Sequence, residues 1–281
     1  MSTESFWRDF KINKESFKRL EGIMNSPDLS QKRDIIIADL HGNHVGLNKI
    51  LIKANYNPKE DNLIFTGDYI DGYKDADFSP KELINLIISL KKENKNIFPV
   101  LGNHDFWMLE WITSGSAFIP EIWYYQGGKE TLDSYGFKTK NNFISFEFFK
   151  ESYPKEHLKF LKSLSPYYKD ELCIVIHGGF STKKQMDLIK EDKEINHDDM
   201  MDILWNRTFY QNHNFRNLSL DTHFKSLFGD KYCIMGHTPS GPIVNDYKIL
   251  IDGGSKGGGK LYGIIINSDK TYKIISEKSN K

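Results

Sequence analysis

The chain has 281 residues, 39% of them hydrophobic and 27% charged, which is typical of a globular protein with one large α/β domain or two small ones. Its 38 lysines and arginines balance its 38 aspartates and glutamates, so composition gives no support for electrostatic binding of nucleic acid or of an anionic membrane. No apolar run approaches the roughly 18 residues of a membrane helix, and the polar N-terminus lacks the apolar segment of a signal peptide. By default we expect a cytoplasmic protein.

The first 30 residues form a polar lead-in, for which the pattern predicts one amphipathic helix around Glu15 to Met24. Residues 31–281 are predicted to form a single domain. Short apolar runs, typical of strands buried on both faces, are separated there by helical stretches such as Pro80 to Lys92. The predicted strands are Asp34 to Ala38, Asn62 to Phe65, Ile97 to Val100, Leu172 to Ile176 and Tyr232 to Met235. This alternation indicates an α/β fold.

An aromatic-rich segment, about residues 105–170, has a mostly helical pattern and is predicted to form a cap inserted into the domain. The C-terminal part is predicted to form hairpins from Ile249 to Ile251, Leu261 to Ile266 and Tyr272 to Ile275. The two cysteines, Cys173 and Cys233, lie in predicted buried strands, so we expect them to be reduced core residues.

Polar side chains gather where the predicted strands end. They lie in five short segments, Asp39 to Asn43, Gly67 to Gly72, Gly102 to Asp105, His177 to Gly179 and Gly236 to Thr238. Because loops at the carboxyl ends of strands converge on one crevice in an α/β protein, we expect these side chains to meet. Carboxylate, imidazole and amide ligands together suit Mn²⁺, Fe²⁺ or Zn²⁺, and the absence of cysteine among them argues against a structural zinc site.

The order of these motifs resembles the calcineurin-like metallophosphoesterases. Within them it is most similar to the phosphoprotein-phosphatase branch, which includes bacterial and phage serine/threonine phosphatases and symmetrical diadenosine tetraphosphate hydrolases. The resemblance runs from about Asp34 to Ile266 and extends to Trp123–Gly128, Leu204–Arg207 and Ile251–Gly254. It implies two mixed β-sheets packed as a sandwich flanked by helices, with metals at one edge. Pro239 stands where the wider superfamily has a second histidine, and this departure fits the branch.

The same resemblance implies a site for two divalent metal ions, with Mn²⁺ favoured over Fe or Zn. The implied ligands are Asp39, His41, Asp68, Asn103, His177 and His237. Asp68 would bridge the two ions, and a water shared by both would attack the phosphorus. His104, oriented by Asp71, would be the general acid for the leaving group, and Arg207 would grip the phosphate oxygens.

Two arginines that are usual in this branch are absent. Gly72 follows the second motif and Leu101 precedes the third, at the positions where the arginines would stand. The implied activity is hydrolysis of a phosphate monoester on a protein or a small molecule. The alternatives are hydrolysis of a dinucleoside polyphosphate and, in another class, a non-catalytic binding protein that retains the fold. The expected partner is thus a phosphorylated substrate, with neither nucleic acid nor membrane involved.

Several other features are interpreted as structural. The segment Gly254 to Lys260 nearly matches a phosphate-binding P-loop, but Leu261 replaces the required Ser or Thr and a strand follows in place of a helix, so we predict a flexible hairpin turn. The aromatic residues expected to pack within the cap, and not to stack on a nucleobase, are Trp107, Trp111, Trp123, Tyr124 and Tyr125. Polar residues predicted to face solvent are Asp198, Asp199, Asp202, His197, His213 and His223.

Overall fold

A computed structural model of the chain describes residues 32–72, 78–139, 143–211 and 215–278. The predicted N-terminal segment, with its helix around Glu15 to Met24, lies outside these described residues. Within them, each helix is too short or too polar to cross a bilayer.

The described strands form two mixed sheets of five strands each. The first sheet contains β1 (Asp34–Ile37), β2 (Asn62–Phe65), β3 (Ile97–Pro99), β9 (Lys260–Ile266) and β10 (Tyr272–Lys278), in the order β10-β9-β1-β2-β3. The second contains β4 (Tyr167–Lys169), β5 (Cys173–Ile176), β6 (Tyr232–Met235), β7 (Ile243–Asn245) and β8 (Lys248–Leu250), in the order β4-β5-β6-β8-β7. Three adjacent strands are parallel in each sheet, β1-β2-β3 and β5-β6-β8, and antiparallel strands complete both.

Helices connect these strands. They are α1 (His44–Ala54), α2 (Pro80–Glu93), α3 (Asn103–Ser114), α4 (Glu121–Trp123), α5 (Lys129–Ser134), α6 (Phe146–Ser152), α7 (Lys155–Lys162), α8 (Lys183–Lys190), α9 (His197–Trp205) and α10 (Phe215–Phe228). A π-helical turn, Tyr124–Gly128, joins α4 to α5. The start of α2 shows why the sequence signal was clear: Ser79 accepts a hydrogen bond from the Glu82 amide, and Pro80 occupies the first turn, where no amide donor is required.

Alternate residues of the parallel strands face different layers, which explains their continuous apolar sequences. In β5, Cys173 and Val175 belong to the core shared with the first sheet, whereas Ile174 and Ile176 belong to a second core with helices α8 to α10. Both faces are therefore removed from water. Both cysteines are buried and unbridged. Two mixed sheets with flanking helices confirm the predicted fold class.

Helices α3 to α7 lie between β3 and β4 in the chain, in the segment predicted to be a cap. The aromatic prediction holds for Trp111 and Trp123, which are fully buried and have ring centroids 5.5 Å apart. It was wrong for Tyr125, whose side chain is exposed. The division into a lead-in, one domain and an inserted cap remains a prediction.

The surface predictions require two corrections. Asp199 is buried and accepts hydrogen bonds from Lys184 and Asn196, because it lies in the first turn of α9 against α8. His223 is half-buried and pairs with Asp187 at 2.7 Å. His197 is exposed as predicted, and His213 lies outside the described residues.

Candidate active site

The backbone is tightly turned at the carboxyl ends of the parallel strands. His41, Asp68, Asp71 and His237 all have positive φ angles, between 45° and 66°. Residues with a Cβ are uncommon in this left-handed region, and such conformations concentrate at functional sites, where surrounding contacts hold them. One such contact is the hydrogen bond from the His41 amide to the Asp68 carbonyl, at 2.7 Å.

Two glycines let neighbouring loops approach the carboxylates closely. A Cβ on Gly102 would overlap the Oδ1 atom of Asp68, and a Cβ on Gly236 would overlap the Oδ1 atom of Asp39. Asp39 is also fixed by hydrogen bonds from Thr66 Oγ1 at 2.6 Å and from the His237 amide at 2.7 Å. These contacts bring loops from both sheets to a common point.

Asp68 lies at the centre of the resulting cluster. Its Oδ2 is 3.4 Å from His41 Nε2, and its Oδ1 is 3.5 Å from His177 Nε2. Potential ligand atoms of Asp39, Asp68 and His177 all lie within 4.8 Å of one another, and so do those of His41, Asp68 and His104. Asp68 is common to both groups, as a carboxylate between two cations would be.

Hydrogen bonds on the far side of two rings set their orientation. His41 Nδ1 lies 3.0 Å from the Ile70 carbonyl, and His177 Nδ1 lies 2.8 Å from the Thr66 carbonyl. Because a carbonyl oxygen only accepts hydrogen bonds, Nδ1 carries the ring proton in both residues. The unprotonated Nε2 of each ring then has its lone pair on the side of Asp68, where it could bind a cation. The structure thereby holds both imidazoles in the tautomer that metal ligation requires.

Asn103 and His237 complete the set of six predicted ligand residues, which the structure brings together. The Oδ1 atom of Asn103 lies 2.9 Å from both His177 Nε2 and His237 Nδ1. His237 Nε2 is buried without a hydrogen-bond partner among the described residues. A buried polar atom normally has a partner, and a cation bound at this ring would supply one.

The electrostatics of the cluster also fit divalent cations. Burial lowers the pKa of His41 and His177 and brings the pKa of His237 to about 3, so all three rings are neutral near pH 7, the form that binds metals. Burial and the adjacent charge of Asp68 raise the pKa of Asp39 to about 7. Bound cations would relieve this repulsion between carboxylates.

His104 and Asp71 form a separate pair beside the cluster. His104 Nδ1 lies 2.5 Å from Asp71 Oδ2, and Asp71 also accepts hydrogen bonds from Trp123 Nε1 at 2.8 Å and Thr131 Oγ1 at 2.6 Å. Burial opposes a charge on His104, but Asp68 and Asp71 outweigh that effect and raise its pKa. The ring can therefore carry a proton near neutral pH and present it from Nε2.

Asp105 helps to organise this site, although the sequence analysis did not identify it as a site residue. Asp105 is fully buried and accepts hydrogen bonds from the amides of Asp68, Tyr69 and Gly102, at 2.9, 3.0 and 3.0 Å. It therefore shapes the second and third motif loops together. Its place beside His104 in the third motif was the only available signal.

Two basic side chains reach the site. Arg207 is exposed and donates from Nη1 to the His237 carbonyl at 3.0 Å, so it lies beside the loop that follows β6. Its predicted role in binding phosphate oxygens remains a prediction. Lys256, not identified from the sequence, lies on a short 3₁₀ turn, Ser255–Gly257, within the P-loop-like segment. Its Nζ is 3.5 Å from His104 Nε2. The segment leads into a strand as predicted, but it also contributes a charge to the site.

At the two positions that lack the usual arginine, Gly72 and Leu101, the backbone is in close contact with neighbouring segments. A Cβ on Gly72 would lie 2.5 Å from the His41 carbonyl oxygen, so an arginine could not be introduced there without moving the first motif loop. Leu101 is buried, and its amide bonds to the Ser165 carbonyl at 2.7 Å.

Comparison with known proteins agrees with this architecture. A sequence profile of the calcineurin-like phosphoesterase family matches residues 33–241. The structure is similar to a protein serine/threonine phosphatase from Saccharomyces cerevisiae with similarity to human phosphatase PP5, with 13% identity, a TM-score of 0.60, and coverage of 100% of this chain and 97% of that chain. It is also similar to a proposed diadenosine tetraphosphatase, with 16% identity, a TM-score of 0.54, and coverage of 90% and 96%. A search of curated proteins finds no match. Identities this low show a shared fold alone.

Proposed function

The chain belongs to the calcineurin-like phosphoesterase family and is a hydrolase, and from this premise we propose that it hydrolyses phosphate monoesters with two divalent cations. The substrate would be a phosphoprotein or a small phosphate ester, and Mn²⁺ is the favoured cation. One observation carries the proposal: the His104–Asp71 pair adjoins a carboxylate and imidazole cluster centred on Asp68. The His104 amide donates a hydrogen bond to Asp68 Oδ1 at 3.0 Å, which fixes the position of the proposed proton donor relative to the proposed cation site.

Each residue has a part in this proposal. Asp39, His41 and Asp68 would hold one cation, and Asp68, Asn103, His177 and His237 the other. Bound divalent ions supply positive charge that polarises the phosphoryl oxygens and lowers the pKa of the attacking water. His104 protonates the leaving oxygen while Asp71 keeps its ring oriented, and Arg207 binds the phosphoryl oxygens through its guanidinium.

The test is metal removal and readdition with an aryl phosphate as substrate. Exhaustive chelation should abolish turnover, Mn²⁺ should restore it best, and metal analysis should give close to two ions per chain. Asp68→Asn should lose metal and turnover together, because a bridging ligand serves both ions. Asp198→Asn, which alters an exposed carboxylate, is the matched control and should behave as wild type. Full activity after chelation would refute the proposal.

Hydrolysis of a dinucleoside polyphosphate is the second candidate. The observation that favours it is a row of aromatic rings beside the proton donor. The half-buried Trp107 ring is 5.1 Å from the His104 ring, and Trp205 is 5.3 Å from Trp107, so a nucleobase could stack next to the leaving group. A Mn²⁺ panel of aryl phosphate, phosphopeptide, cyclic nucleotide and diadenosine tetraphosphate separates the candidates by their kcat/KM values.

A further inference from the structure

Lys256 occupies a particular side of the site. Its ammonium lies 3.5 Å from His104 Nε2 and 2.5 Å from the Gln126 carbonyl oxygen. Because Asp71 binds the Nδ1 side of the His104 ring, Nε2 is the ring atom left to meet the substrate. Arg207 lies elsewhere, against the His237 carbonyl. The two basic side chains therefore do not duplicate each other.

The turn that carries Lys256 is anchored to the first motif loop. Ser255 is buried, and its Oγ accepts a hydrogen bond from Asn43 Nδ2 at 2.9 Å. At the start of the turn, the Gly254 amide bonds to Asp252 Oδ1 at 2.8 Å. Lys256 itself is half-buried. The ammonium is thus held in place by the surrounding fold and is not on a free surface chain.

We infer that Lys256 is a specificity-determining residue that binds an anionic group on the leaving-group side of the scissile bond. The inference rests on the proposed function, because it takes His104 Nε2 as the donor to the leaving oxygen. An ammonium this close to that nitrogen reaches whatever is attached to the leaving oxygen. Substrates whose leaving group carries a carboxylate or a further phosphate would satisfy its charge, whereas a neutral leaving group would leave it without a substrate partner.

The bond chemistry is unchanged by this assignment. The oxygen of water bonds to phosphorus and the water releases one proton to solvent, while the bond from phosphorus to the leaving oxygen breaks and the proton from His104 passes to that oxygen. His104 then regains a proton from solvent, and the products are phosphate and the protonated leaving group. Lys256 keeps its protons and acts through its charge and hydrogen bonds alone. Its effect is therefore a preference among substrates and not a new reaction.

Two aryl phosphates that differ in the charge of the leaving group provide the test: 4-carboxyphenyl phosphate and its uncharged amide, 4-carbamoylphenyl phosphate. Wild type should prefer the carboxylate in kcat/KM. Lys256→Met should lower kcat/KM for the carboxylate by about 10- to 100-fold, the loss expected for one charge-assisted contact, and should change the amide much less. Lys256→Arg should retain the preference, because it keeps the charge.

Lys260→Met is the matched control, because it removes an exposed lysine near the same turn and should leave both substrates unaffected. If Lys256 merely held the turn through the Gln126 carbonyl, its loss would lower kcat/KM equally for both substrates, and that result would overturn the inference. So would a wild-type preference for the amide. Wild-type enzyme that turns over neither substrate in the presence of Mn²⁺ would instead remove the proposed function, on which the inference rests.

Discussion

At the scale of single residues, two buried histidine environments separate the chemical roles in the site. His41 and His177 each present Nδ1 to a backbone carbonyl, and burial lowers their pKa. His104 presents Nδ1 to the carboxylate of Asp71, which helps to raise its pKa against the effect of burial. Neutral rings suit metal ligation, whereas a ring that retains its proton suits acid catalysis.

His104→Ala should therefore lower turnover without removing metal. We expect kcat to fall by about 10² to 10⁴, the usual contribution of general acid catalysis. The loss should be smaller for aryl phosphates with acidic leaving groups, since these depart without a proton. Kinetics across a series of leaving groups, with metal analysis of the same samples, is the measurement.

The control is His197→Ala, which removes an exposed imidazole and should leave both readouts unchanged. Loss of a metal ion from His104→Ala would instead make His104 a ligand, a role that its distance to His41 and Asp68 also allows.

At the scale of elements, the site depends on strand-to-loop turns that have no room for a side chain. Gly236 directly follows β6 and faces Asp39, whose oxygens already accept hydrogen bonds from Thr66 and the His237 amide. The carboxylate cannot rotate away without breaking one of these hydrogen bonds. The glycine is therefore required by packing between the two sheets, because its own φ is not positive.

Gly236→Ala should displace Asp39, so we expect loss of bound metal and of most activity from a chain that remains folded. Metal content, turnover and circular dichroism would be measured together. Gly257→Ala is the matched control, because a Cβ there meets nothing within 4 Å and its φ is not positive. Its stability should change by less than about 0.5 kcal/mol. Normal metal binding by Gly236→Ala would show that the loops adjust freely.

At the scale of the whole molecule, a pair of acids, the buried Asp34 and the half-buried Asp170, joins the two sheets. Asp34 on β1 pairs with Asp170, which precedes β5, and it also accepts from Asn62 Nδ2 at 2.7 Å. Burial, and then Asp170, raise the pKa of Asp34 to about 7. The carboxyl groups therefore share a proton across the interface between the sheets at mildly acidic pH.

This pair should make stability depend on pH. Because the folded-state pKa of Asp34 exceeds its unfolded value of 3.8, the contribution is fully present below pH 3.8 and is lost as pH rises through about 7. Asp34→Asn stays neutral, so it should lose less stability than wild type between pH 5 and 8. Urea unfolding of both proteins at several pH values measures this difference, and parallel pH curves would contradict it.

The sequence by itself determined eight of the ten described strands, all but β4 and β7, and the strand-end motifs whose side chains the structure brings together. Apolar runs such as Tyr232 to Met235 are easy to recognise as strands, because a strand buried on both faces accepts few polar residues. The structure brings Asp39, Asn103 and His237 to one point because all three follow parallel strands, and loops at such ends converge whatever the detailed packing. Family resemblance supplied their suggested roles, which remain predictions.

Only the tertiary structure decided how distant segments meet. Strand β9 pairs with β1 although more than 200 residues separate them. The local sequence pattern indicates that a strand is buried, but it does not indicate which strand pairs with it. For the same reason the sequence did not identify Lys256 as a site residue, because the residues of a glycine-rich turn do not indicate that the turn approaches the His104 ring. Nor did the sequence show the carbonyl of His41 that blocks Gly72. Contacts of this kind depend on close packing between sheets, which no local sequence window contains.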